Sequence, residues 1–131
     1  MIVDSSALIA IVLREPGWED LVDEIANDPL CGIGAPTLVE TGIVLTAKMG
    51  PKARVTLSRL LQEAGMTVIP FTDAHWRVAL DAYVRFGKGR QHAASLNFGD
   101  CLTYAVARLA EQALLFVGDD FRKTDVVAAR R

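Results

Sequence analysis

At 131 residues, with 51% of them apolar, the chain can bury a core of its own and fits one domain, taken as 1–131. A formal net charge of −2 excludes nucleic-acid binding by bulk positive charge, and two cysteines without a CxxC pair exclude a cysteine-built zinc site. The opening Met1-Ile2-Val3-Asp4 lacks the basic and apolar regions of a signal peptide and no apolar run approaches a membrane span, so a cytoplasmic chain with Cys31 and Cys101 as buried thiols is expected.

Ile2-Val3 reads as a short strand ending in Asp4. Ser5 or Ser6 caps a helix through Leu13, closed by Glu15-Pro16-Gly17. Trp18 to Ala26 has helical spacing, with Trp18, Leu21, Val22 and Ile25 on one face. Leu30 to Ile33 is a second strand. Pro36 opens a helix to about Met49, with Val39, Ile43, Val44 and Ala47 as its apolar stripe. Ala53 to Ala64 is a helix with Val55, Leu57, Leu60 and Leu61 inside, and Met66 to Ile69 is a third strand. Thr72-Asp73 caps a helix from Ala74 to Phe86; a Gly-, Lys- and Arg-rich loop follows to Phe98. Gly99 to Glu111 is a helix, Leu114 to Val117 a fourth strand, and Gly118-Asp119-Asp120 an acidic turn. Short apolar strands between helices predict a parallel sheet with helices on both faces, whose ligands sit at the carboxyl ends of the strands.

The acids fall at that edge. Asp4 and Asp119 follow strands; Glu40 and Asp100 stand near the starts of helices. In a parallel sheet these are the same side of the molecule, so one crevice can hold all four. Each has a blander role alone: Asp4 as a cap, Glu40 and Asp100 as first-turn acids favoured by the helix dipole, Asp119-Asp120 as a turn. Together they repel one another unless a hard cation intervenes. Mg²⁺ or Mn²⁺ takes such oxygen ligands, and water bound to it ionises readily enough to attack phosphorus.

Met1 to Leu8, Glu40 early in its helix, Leu96-Asn97-Phe98-Gly99-Asp100-Cys101 and Leu114 to Phe121 resemble the PIN-domain nucleases, and within them the VapC toxins of type II bacterial toxin–antitoxin pairs. The resemblance covers essentially the whole chain. It implies a three-layer α/β/α fold, a homodimer, a Mg²⁺- or Mn²⁺-dependent endoribonuclease acting on RNA, and a cognate VapB-like antitoxin that covers the active site. By position it assigns Asp4, Glu40 and Asp100 as the first three acids, and Ser6 as the hydroxyl that holds a carboxylate or a water. It points to Asp119 as the fourth acid, with Asp120 and Asp125 as alternates.

The segment Phe86 to His92 also resembles part of one branch of these toxins, and places Lys88 and Arg90 to contact RNA phosphates. His92 is read as a bystander, Arg122-Lys123 as RNA contact or plain surface charge, and Trp18 and Trp76 as core or interface. Three rivals fit less well. A von Willebrand-type adhesion module needs Asp-x-Ser-x-Ser, which fails at Leu8; a haloacid dehalogenase-type phosphatase needs an acid where Ser6 stands; a receiver domain needs an Asp where Pro70 ends the third strand. A housekeeping RNA-processing nuclease of the same fold and a non-catalytic metal-dependent binding domain are the alternative functions.

Overall fold

The computed structural model describes residues 1–129; the last two residues of the expected domain lie outside the described residues. Four short strands form one sheet: β1 (Ile2–Val3), β2 (Gly32–Gly34), β3 (Thr67–Ile69) and β4 (Leu114–Leu115). Their spatial order is β3-β2-β1-β4 and every pairing is parallel, with Ile2 opposite both Gly32 and Leu114. The helices are α1 (Ser5–Val12), α2 (Trp18–Ala26), α3 (Ala35–Met49), α4 (Ala53–Ala64), α5 (Asp73–Phe86) and α6 (Phe98–Ala110). A single 3₁₀ turn, Asp120–Lys123, follows β4.

Strand alternation divides the core in two. Val3, Ile33 and Leu115 point into a cluster with Leu8, Leu21, Leu45 and Leu57, contributed by α1 to α4. Ile2 and Leu114 point the other way, into a cluster with Ala82, Phe86, Tyr104 and Val106 from α5 and α6. The three-layer α/β/α arrangement is therefore the one expected. Gly34 lets α6 lie close on β2, since a Cβ there would stand 2.7 Å from Val106 Cγ2. No helix among the described residues is long and apolar enough to cross a membrane.

Several expectations are corrected. The α3 stripe is turned outward: Val39 and Ile43 are 61% and 65% exposed and Ala47 is also at the surface, while Thr37, Thr41 and Leu45 are buried. The buried threonines are tolerated because each has a partner: Thr41 Oγ1 donates to the Thr37 carbonyl at 2.8 Å, and Thr37 Oγ1 meets Thr103 Oγ1 at 3.1 Å. Val55 on α4 and Val22 on α2 are likewise exposed; of the two places expected for Trp76, core or interface, its half-exposed position on α5 leaves the second. The second strand begins at Gly32, with Leu30 in solvent while its carbonyl accepts from the Met1 ammonium at 2.7 Å. The fourth strand stops at Leu115; beyond it Val117 is exposed. The residues after the 3₁₀ turn return to the sheet. Leu114 N donates to the Val127 carbonyl and Ala129 N to the Leu114 carbonyl, both at 2.8 Å.

Candidate active site

Asp4 leaves β1 at its carboxyl end and is only 4% exposed. It caps α1 itself, where Ser5 or Ser6 was expected to: its Oδ2 accepts from Ser6 N at 3.1 Å and from Ser6 Oγ at 2.6 Å. Ser5 and Ser6 are already helical. The Ser6 hydroxyl oxygen accepts in turn from Val117 N at 3.0 Å, which ties the end of β4 to Asp4. The other carboxylate oxygen, Oδ1, accepts from Thr103 Oγ1 on α6 at 2.7 Å. With the Thr103 proton committed there, Thr37 is the donor between the two threonines. Asp4 is thus fixed by α1, α6 and, through Thr103, α3.

Asp100 lies in the first turn of α6 and takes part in a capping box with Asn97. Asp100 N donates to Asn97 Oδ1 at 2.9 Å, and Asn97 N donates to Asp100 Oδ2 at 3.1 Å. Burial raises the Asp100 carboxyl from 3.8 to about 6, against the Asn97 hydrogen bond that lowers it; the charges of Asp4, Asp120 and Glu40 add to the rise. Glu40, half-buried on α3, packs its carboxylate onto the backbone of Gly99; a Cβ at 99 would overlap Glu40 Oε2. The absence of a side chain at 99 is what lets the two helices bring Glu40 and Asp100 together.

Of the three candidates for the fourth acid, Asp120 is the one whose charge reaches Asp100. Asp119, the first choice from the sequence, is exposed like Asp120. Its side chain is 81% exposed and lies 3.9 Å from Arg122 Nε. Gly118, at φ 99°, turns the chain after β4, and the tight 3₁₀ winding then starts at Asp120. Asp125 is occupied elsewhere: its Oδ1 accepts from Tyr104 Oη at 2.7 Å, and its Oδ2 lies 3.4 Å from Arg85 Nη2 and 3.8 Å from Arg108 Nη1.

The residues fit a hard cation by chemistry: an all-oxygen donor set, with one carboxyl held up by burial and by three neighbouring acids. They do not form a closed cage, for among the described residues no three acid, histidine or cysteine side chains are grouped as a ready ligand set. Hydrogen bonds hold two of the carboxylates. Both oxygens of Asp4 are engaged by hydroxyls, and Asp100 is folded back on Asn97. Magnesium needs only one or two direct carboxylates and keeps several waters, so an open set of this kind suits it.

Lys88 and Arg90 lie in a loop closed at its base, where Lys88 N donates to the Leu96 carbonyl at 2.7 Å and Leu96 N to the Phe86 carbonyl at 2.8 Å. Leu96 directly precedes the Asn97–Asp100 capping box, so the loop is anchored to the edge that carries Asp100. Both cations are exposed, and neither is in an ion pair among the described residues. His92 bonds locally, its Nδ1 accepting from Ala94 N at 3.0 Å.

A family model described as PIN domain matches residues 1–127. The chain belongs to the PIN-domain family. Among PIN-domain proteins it is 48% identical over 129 residues to Ribonuclease VapC36 of Mycobacterium tuberculosis, covering 96% of this chain and 91% of that one. It is 40% identical over 128 residues to Ribonuclease VapC of Mycolicibacterium smegmatis, covering 98% of each. Among solved structures, Mycobacterium tuberculosis VapC20, described as a Sarcin-Ricin loop cleaving toxin, superposes with a TM-score of 0.78 over 96% of this chain and 95% of that one, at 20% identity. A toxin–antitoxin complex from Klebsiella pneumoniae superposes at 0.70, over 97% and 94%, at 16% identity. The last two likenesses concern the fold. The family resemblance drawn from the sequence is thereby met, and the chain stands with the VapC members of the PIN-domain family.

Thr103, Thr37 and Gly99 were not singled out from the sequence. Thr103 lies three residues after Asp100, on the same side of α6, and that spacing was the available signal. Gly99 gave none, because its role depends on a residue from another helix.

Proposed function

We propose that this chain is the ribonuclease toxin of a toxin–antitoxin pair, and that it cleaves RNA phosphodiester bonds with a Mg²⁺ or Mn²⁺ ion held among Asp4, Glu40, Asp100 and Asp120. The observation that carries the reading is the meeting of acids at one edge: Asp4 is held there by Ser6 and Thr103, and the Glu40 carboxylate lies against Gly99 beside Asp100, whose carboxyl burial and neighbouring acids push up to about 6. Negative charge drawn to one edge from several elements favours a cation that neutralises it. The names of the VapC relatives at 48% and 40% identity support the ribonuclease activity. When bound, the cation would supply charge neutralisation at the phosphate and an easily ionised water.

The chain's own residues do the rest. Ser6 and Thr103 fix the Asp4 carboxylate against rotation, and Asn97 fixes Asp100. Gly99 leaves room for Glu40 beside them. Lys88 and Arg90, exposed in the loop next to Asn97 and Asp100, offer cations to the RNA backbone, offsetting a net charge of −2. Two apolar surfaces suit the two protein partners proposed, a VapB-like antitoxin and a second copy of the chain. One lies between α3 and α4 along Leu38, Val39, Ile43 and Leu61, the other on α5 and α6 along Trp76, Leu80, Tyr83 and Phe98. RNA as substrate places the work in the cytoplasm. The test is cleavage of RNA by purified protein: activity with Mg²⁺ or Mn²⁺ and none in EDTA is expected, and unchanged cutting in EDTA would overturn the reading.

A further inference from the structure

Asp120 sits on a four-residue 3₁₀ turn between β4 and a C-terminal segment, a stretch with little regular structure to hold it. Two anchors follow it. The first is Phe121, buried at the next position, its ring 5.3 Å from that of Phe116. The second is Asp125, which the proposed chemistry leaves unused. Its carboxylate accepts the Tyr104 hydroxyl proton at 2.7 Å and lies between the guanidinium groups of Arg85 and Arg108. Burial alone would raise the Asp125 carboxyl; the Tyr104 hydrogen bond and the two arginines outweigh it and hold the group below its usual range. Tyr104 is buried, and burial together with Asp125 pushes its hydroxyl up to about 12, so it remains a donor.

Tyr104 stands four residues after Asp100 on α6, one turn along the same face, and directly after Thr103, which holds Asp4. One helix therefore carries Asp100, fixes Asp4 and grips the segment that carries Asp120. The chain around the anchors is tightened by Thr124 Oγ1 donating to the Phe121 carbonyl at 2.6 Å and by Val126 N, just past Asp125, donating to Thr124 Oγ1 at 3.3 Å. Five residues so braced leave Asp120 little freedom to retreat from its negative neighbours, which is where repulsion would otherwise send it.

We infer that Asp125 is a positioning residue: clamped by Tyr104, Arg85 and Arg108, it holds the 3₁₀ turn so that Asp120 stays in the acid cluster. The inference rests on the proposed metal-dependent reading of that cluster. An exposed ion pair that merely decorated the surface would contribute little and could be removed without consequence for the site. The buried Tyr104 hydroxyl, aimed at the carboxylate, marks this one as built.

The test is direct Mn²⁺ binding, followed by electron paramagnetic resonance without RNA, on the wild type, Asp125→Ala, Asp125→Asn and Tyr104→Phe. A control, Leu57→Val on α4, lowers stability away from the site. The expected result is a loss of Mn²⁺ affinity of about tenfold for Asp125→Ala. Tyr104→Phe should lose less, Asp125→Asn should recover part of the loss by keeping an acceptor for Tyr104, and the control should bind as the wild type does. Wild-type affinity in a folded Tyr104→Phe together with wild-type affinity in either Asp125 variant overturns the inference. Equal losses in the control and the clamp variants also overturn it, by reducing the effect to stability. A wild-type protein that binds no Mn²⁺ overturns the metal reading instead, so the two failures are told apart.

Discussion

Asp100→Asn is expected to make the metal-free protein more stable while removing its activity. The substitution keeps the shape of the side chain and an oxygen that can accept from Asn97 N, so the capping box survives. It removes one charge from a half-buried position whose neighbours Asp4, Asp120 and Glu40 are also negative. Raising the carboxyl from 3.8 to about 6 corresponds to about 3 kcal/mol of destabilisation for a fully buried group, and partial solvent exposure reduces this to about 1.5 kcal/mol. The sign follows from linkage. The folded protein holds the Asp100 proton more tightly than the unfolded chain, so stability is full below the unfolded value and is lost as pH rises through the folded one. The variant should therefore exceed the wild type by about 1.5 kcal/mol at pH above about 7, a rise of about 5 °C in Tm, and the advantage should vanish below about pH 4. Urea unfolding in a chelating buffer across that range measures it. A variant no more stable than the wild type at neutral pH, or an advantage that ignores pH, would refute the burial and the neighbouring negative charge that raise the Asp100 carboxyl.

Three other outcomes are expected. Thr103→Val removes a donor from the buried Asp4 carboxylate and should cost about 2 kcal/mol in urea unfolding, whereas Thr103→Ser should stay near the wild type. Gly99→Ala should leave the fold within about 1 kcal/mol of the wild type, because the atom it displaces is the end of a flexible side chain; with Glu40 moved, RNA cleavage should fall about a hundredfold, and full activity would show that Glu40 has no part in it. Alanine at both Lys88 and Arg90 should weaken RNA binding and reduce the slope of log affinity against log salt by about 1.4, and an unchanged slope would make the loop a bystander.

How far the sequence could be read depended on the kind of information each residue carries. The strands and helices were legible because Ile2-Val3, Met66 to Ile69 and the spaced apolar residues of α2 and α6 announce themselves locally. So was the shared edge of Asp4, Glu40 and Asp100, since parallel strands put strand ends and helix starts together. The burial side of α3 was not. Its most apolar face, Val39 and Ile43, lies outward, and the face that packs carries Thr37 and Thr41, whose hydroxyls are satisfied by partners invisible in one dimension. Asp119 and Asp120 differ by one residue of phase in a tight 3₁₀ turn, and no hydrophobic pattern sets that phase except the buried Phe121 beside it. Thr103 and Gly99 act through contacts with Asp4 and Glu40, distant in sequence, so only the fold exposes them.

The most direct measurement is a crystal of the wild-type protein soaked in Mn²⁺ and examined by anomalous diffraction. The account predicts an anomalous peak in the crevice bounded by Asp4, Glu40, Asp100 and Asp120, weakened or absent in Asp100→Asn. A peak held by other residues, or an empty crevice at millimolar Mn²⁺, would contradict it.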